Sequence, residues 1–153
     1  IVSGAFVAGT KAGWAYNNFP MMGENILPPI LLENKIDNVT FLFNDIGFIQ
    51  FFHRILASIT LVIIISACIY LIKSQTSGIT KKFAKILFFF VIFQYLLGII
   101  ILKLYVPVSL GVMHQLGSLI VLSLLISILA ENVSLGALSS SQSTFKLIKN
   151  SYQ

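Results

Sequence analysis

Charge is scarce in this sequence: ten basic and five acidic residues in 153, or 10% charged, against roughly 25% in a soluble domain. With 57% hydrophobic residues and a mean hydropathy of +0.94, the composition excludes a water-soluble globule and points to a membrane protein. Cysteine is scarcer still. A lone Cys68 in the middle of an apolar run excludes an internal disulfide and a thiolate metal site, and suits a small buried apolar position. Acidic residues avoid the apolar runs, since Glu24, Glu33, Asp37, Asp45 and Glu131 all fall in loops or at predicted helix ends. No intramembrane general acid or base is therefore in sight. The net charge of +5 comes from scattered basic residues, which argues against a nucleic-acid surface and for lipid or anionic cofactor groups as partners. An initiator methionine and a charged leader are also missing. Ile1–Gly9 looks like the end of an apolar segment, so a fragment or half-protein is expected.

What is present is long apolar runs. Phe48–Ile72, Phe83–Leu102 and Val108–Ala130 each approach the ~20 residues that a bilayer crossing needs. Ile1–Ala12, with Ser3, Gly4, Ala5, Ala8 and Gly9 for close helix contact, reads as the outer part of a truncated fourth span. The expected fold is all-α: a polytopic membrane four-helix bundle over residues 1–130, its first helix truncated, with an outer loop at 14–47 and an inner-side tail at 131–153. The loop is polar and broken by Pro20, Gly23 and Pro28-Pro29, which stop regular helix. Trp14, Tyr16 and Phe19 suit the membrane interface there, and Asn38–Asp45 suits a short amphipathic piece. Leu138–Thr144 is serine-rich and reads as flexible. Lys73, Lys81, Lys82 and Lys85 in one connection, and Lys146 and Lys149 in the tail, place those segments inside and the long loop outside. Two glycosylation sequons, at Asn38 and Asn132, would then face opposite sides, so both are set aside.

Each of the two histidines lies about six residues inside the outer end of a run, His53 in the first and His114 in the third. At about 1.5 Å per residue both rings sit roughly 9 Å deep. Polar side chains at that depth are costly, and a matched pair marks a functional site. Helical spacing brings Ala57 and Thr60 to the His53 face and Gly111, Gly117 and Ser118 to the His114 face, leaving room for a large flat group. Two readings stand. The histidines either join helices by hydrogen bonds or hold a metal centre. Zinc and copper lack further Cys, Asp or Glu ligands at that depth, whereas haem needs only two axial ligands. Two axial histidines leave iron no open position, so such a haem would carry electrons. Gln50 and Gln115 are candidate partners for the second nitrogen of each ring. Arg54, beside His53, and Lys11 either snorkel to the interface or hold haem propionates.

One family shares these landmarks in order: Gly4-Ala5, Ala8-Gly9, Ala12-Gly13, Tyr16-Asn17, Phe19-Pro20, Met22, Pro28-Pro29, Gln50-Phe51-Phe52-His53-Arg54, Gln94, Leu97-Gly98-Ile99, Val106-Pro107 and His114-Gln115. The chain resembles the carboxy-terminal half of the haem A synthases from its first residues to about Ala130. The resemblance implies an eight-helix, multi-pass protein of the bacterial plasma membrane or mitochondrial inner membrane, built from two similar four-helix halves. It implies an oxidoreductase that converts the C8 methyl of haem O to the formyl of haem A for cytochrome oxidase. By the same resemblance, the substrate haem O is expected in the amino-terminal half, and haem B in this half with His53 and His114 as iron ligands. This half alone is expected to be inactive, with no catalytic residue of its own. The implied partners are the lipid bilayer, the amino-terminal half, haem O synthase and an electron donor or acceptor. That family's other half carries glutamate three residues before its histidine, where this chain has Gln50, which agrees with an electron-carrying role. The rival readings are another b-type cytochrome membrane subunit and a non-catalytic transporter or assembly segment.

Overall fold

A computed structural model of the chain describes residues 1–32 and 43–151, with side chains up to residue 137. The structure is helical, with no strand among the described residues. A short α1 (Val2–Gly9) leads through a 3₁₀ turn at Ala12–Trp14 and a long loop to α2 (Pro29–Leu32). Then come the three long helices α3 (Ile46–Lys73), α4 (Gly78–Lys103) and α5 (Val108–Ser151), each long and apolar enough to cross a membrane.

Local chemistry sets the helix ends. Asp45 caps α3 by accepting from the Phe48 amide at 2.6 Å, and Ser77 caps α4 by accepting from the Thr80 amide at 3.0 Å, each satisfying one of the first-turn N–H groups that a helix leaves free. Between α4 and α5 the chain reverses through Tyr105 and Val106, at φ 58° and 56°. A β-branched residue is rarely found there. Val106 is held by its amide bond to the Ile101 carbonyl at 2.9 Å and by its methyls, which lie against Gly13.

The spans pack through few fully buried residues. Ile64, Cys68, Ala84, Leu87, Val91 and Ile128 form the core among α3, α4 and α5. Val62, Ile63 and Phe89 each remain more than 60% exposed. A water-soluble bundle of this size would bury such side chains, whereas lipid is as apolar as they are, so close packing and interhelical hydrogen bonds hold the helices instead. Ser58 Oγ and Tyr95 Oη meet at 2.9 Å between α3 and α4. Ser77 donates to Glu131 Oε1 at 3.1 Å, tying the start of α4 to α5.

Two expectations change. The helices run longer than the apolar runs, into flanks where Lys73, Lys81, Lys82, Lys103 and Glu131 are good helix formers. The serine-rich tail, expected to be flexible, continues as helix to Ser151; no proline follows Pro107 to break it. Of the amphipathic piece expected over Asn38–Asp45, only 43–45 is described, as a turn ending in the α3 cap; Asn38 with its sequon, Glu33, Lys35 and Asp37 lie outside the described residues.

Because successive spans alternate in direction, the first turns of α3 and α5 and the last of α4 share one end of the bundle. The lysine-rich α3–α4 connection lies at the other end, which the charge bias assigns to the inside. In a Cys68→Ala background, Glu24→Cys should be labelled by an impermeant thiol reagent from outside and Gln75→Cys should not. Labelling of Gln75→Cys from outside intact cells would reverse the orientation.

Candidate functional site

The end of the bundle that holds the starts of α3 and α5 is covered by residues 12–28, fastened by side chains of α3 to its backbone and by its own Asn17 side chain to the backbone of α4. Gln50, 1% exposed, donates through Nε2 to the carbonyls of Gly13 (3.0 Å) and Tyr16 (3.1 Å). Arg54, one turn further along α3, donates through Nη2 to Tyr16 O (2.9 Å) and Gln50 Oε1 (3.1 Å), and through Nη1 to Met21 O (3.1 Å). Its guanidinium also stands 5.8 Å from the centre of the Phe19 ring, within cation–π range. Asn17 Nδ2 reaches Leu102 O at 3.0 Å, anchoring the same segment to α4. The path is tight: a Cβ on Gly47 would stand 2.9 Å from Tyr16 Cε2. It also needs Gly23 at φ 76°, a region that L side chains rarely adopt.

Beneath this cap, His53 lies seven positions into α3 and His114 six into α5, so both rings sit roughly 9–10 Å below their helix starts. Each ring is held on one nitrogen. Ser3 Oγ of α1 meets His53 Nδ1 at 2.9 Å, and Gln94 Nε2 of α4 meets His114 Nδ1 at 3.1 Å. Each ring also lies against a glycine, with a Cβ on Gly4 falling 3.4 Å from His53 Cε1 and a Cβ on Gly98 3.1 Å from His114 Cε1.

Nε2 of both rings takes part in no hydrogen bond among the described residues. That donor set fits haem: one free imidazole nitrogen from each of two helices, apolar walls, and a second nitrogen anchored on each ring, as ligating imidazoles require. No cluster of three or more His, Cys, Asp or Glu exists among the described residues, which leaves zinc without a coordination shell.

The two histidines are thus brought to one end of the bundle, and Arg54 and Lys11 are not brought to the rings in the same way. Arg54 turns to the loop carbonyls, keeping Nε buried without a partner. Lys11 is exposed just past α1, at φ 57°. The expected ring partners change too. Gln50 serves the loop, and Gln115 is exposed; Ser3 and Gln94 take their places. Of the small residues expected around the rings, Gly111 has open space where a Cβ would be, and Gly117 makes room for Gln94 instead. Gly4 and Gly98 do the flanking. Gln94 was marked in the sequence as an isolated glutamine inside an apolar run and as one of the landmarks of the resemblance, though not as a ring partner; Ser3 carried no comparable cue, because serine is common in helix contacts.

Three apolar spans, with both histidines and the bonds that hold them toward one end, define a multi-pass, all-helical membrane protein. The family model described as cytochrome oxidase assembly protein matches residues 1–126, and this chain belongs to that family. Its relatives include the haem A synthase of Wolbachia sp. subsp. Brugia malayi, 36% identical over 122 residues, covering 78% of this chain and 33% of that protein. The haem A synthase of Rickettsia prowazekii is 36% identical over 130 residues, covering 82% and 37%. That of Arabidopsis thaliana is 38% identical over 125 residues, covering 82% and 27%. The chain therefore spans about a third of the length of these curated relatives. No solved structure matches it.

Proposed function

We propose that this chain is the cofactor-haem half of a haem A synthase, in the bacterial plasma membrane or mitochondrial inner membrane. It binds one haem B between His53 and His114. The whole protein, on this reading, oxidises the C8 methyl of haem O to the formyl of haem A for cytochrome oxidase, with haem O held by a further, amino-terminal half. The observation that carries the reading is the pair of imidazoles at one depth, each anchored at Nδ1 with Nε2 free.

A haem ligated on both faces supplies one-electron transfer. This chain's residues would do the rest: His53 and His114 would hold the group, Gly4 and Gly98 leave the imidazoles their place, and the capping loop would close this end against water. Arg54 through its unpaired Nε, and Lys11 at the outer edge, are the groups available to propionates. An intramembrane carboxylate is lacking, so oxidation of haem O is assigned to the other half and the electrons to an external donor or acceptor.

Purified from membranes, the chain should carry one haem per polypeptide, of B type by its pyridine haemochrome, with a six-coordinate low-spin spectrum. It should not convert haem O in a strain lacking the full enzyme. A haem-free preparation would defeat the binding claim, and conversion by the chain alone would defeat the division of labour.

A further inference from the structure

We propose that Gln94 is the positioning residue for His114: its amide oxygen accepts the Nδ1 proton when Nε2 binds iron, fixing the tautomer and donor strength of that ligand. This rests on the haem reading above.

Gln94 is buried, only 8% exposed, in the middle of α4. An amide there is costly unless bonded. Its Nε2 lies 3.1 Å from His114 Nδ1 and 2.5 Å from the His114 backbone oxygen, yet its Oε1 is buried without a partner. Among the described residues only Arg54 Nε shares that condition. The surroundings are shaped for this amide. A Cβ on Gly117 would overlap Gln94 Oε1 and stand 2.9 Å from Cδ, and Gly98, one turn along α4 from Gln94, gives the imidazole its place.

The protons decide what the arrangement means. An amide N–H facing Nδ1 requires a bare Nδ1, so the imidazole carries its proton on Nε2, as a ring without a metal can. Ligation through Nε2 needs that nitrogen's lone pair, so the proton must sit on Nδ1. Two N–H groups would then face each other. A half-turn of the Gln94 amide about its last bond exchanges the two ends and brings the orphaned oxygen to the new donor. A groove of about 240 Å³ lined by Gln94, Leu97, Met113 and Gly117 leaves room for the amide to draw back from the His114 carbonyl. That carbonyl keeps its helix donor four residues on. The buried unsatisfied oxygen thus gains its partner in the ligated state. His53 needs no such rearrangement, because the Ser3 hydroxyl can donate or accept without moving.

An acceptor on Nδ1–H raises the basicity of a ligating imidazole and favours ferric over ferrous iron, and losing such a partner typically weakens metal binding about 10–100-fold. In the haem-loaded chain, Gln94→Leu should therefore raise the haem midpoint potential and weaken haem binding within that range, while keeping a low-spin spectrum. Gln94→Glu, which retains an acceptor oxygen, should not raise the potential. Gly117→Ala, which displaces the amide without altering it, should move the potential as Gln94→Leu does and decides the matter if that variant does not accumulate. An unchanged potential in the Leu or Ala variant with low-spin haem retained, or an equal rise in the Glu variant, would overturn the assignment. A low-spin spectrum that survives His114→Ala would instead overturn the haem reading, which separates the two failures.

Discussion

Replacing either His53 or His114 by alanine should abolish the six-coordinate low-spin spectrum of the bound haem, leaving a high-spin or haem-free protein, whereas Cys68→Ala should leave spectrum and haem content close to the original. The expected loss is large because the site has no spare ligand. His53 and His114 are the only histidines in the chain, and Cys68 lies in the core nearer the opposite end of the spans, packed with Ile64, Leu87 and Ile128. The nearby polar groups are already engaged: Ser3 and Gln94 on the rings, Gln50 on the loop. A truncated His53 would also leave the Ser3 hydroxyl facing a hole beside Gly4. If both single variants retained the low-spin spectrum and full haem content, the clamp would be wrong, and with it the electron-carrying role assigned to this half.

The histidine pair was legible in the sequence because depth in a span can be counted from its end, and polar residues in apolar runs are few. Rotation about the helix axis cannot be counted in the same way. Which face of α3 meets α1, and which of α4 meets α5, depends on packing between segments distant in sequence. That is why Gly4 and Gly98, which lie against the rings, and Ser3 and Gln94, which bond them, were not among the ring neighbours expected from helical spacing. Helix lengths exceed the apolar runs for a different reason: hydropathy marks the membrane-buried stretch, while helix continues into the polar flanks wherever no proline or turn stops it. The outer loop was recognisable as irregular from Pro20, Gly23 and Pro28-Pro29. Its ordered path was not, since that path is built from backbone carbonyls accepting from two side chains some 35 residues away, and carbonyls leave no mark in a sequence.

The same fastening explains why position 50 holds glutamine, and it predicts that Gln50→Glu will loosen the cap rather than bring the half closer to catalysis. Both N–H bonds of the Gln50 amide go to backbone oxygens, the buried one of Gly13 and the part-buried one of Tyr16, while its oxygen accepts from Arg54. A carboxylate keeps only the last of these. Tyr16 O retains Arg54 Nη2 at 2.9 Å, but Gly13 O loses its side-chain donor and faces an anionic oxygen. An unsatisfied buried polar group costs about 1–3 kcal/mol, partly offset by the closer ion pair with Arg54. The net effect falls on opening of the 12–28 segment, because that is what these bonds close. Limited proteolysis of the chain in detergent should therefore cleave between Gly13 and Met22 roughly tenfold faster in Gln50→Glu, since each 1.4 kcal/mol is a tenfold change in open population and cleavage follows that population when reclosing is fast. Gln50→Leu, which also strips Arg54 of an acceptor, should open further. Haem O conversion should stay absent in both, because a carboxylate drawn into the Arg54 and loop network is not placed to take a proton from a substrate. A Gln50→Glu protein with the original cleavage rate would show that the loop is held by its own packing, on Tyr16, Phe19 and Met22, and that the amide is not what this position requires.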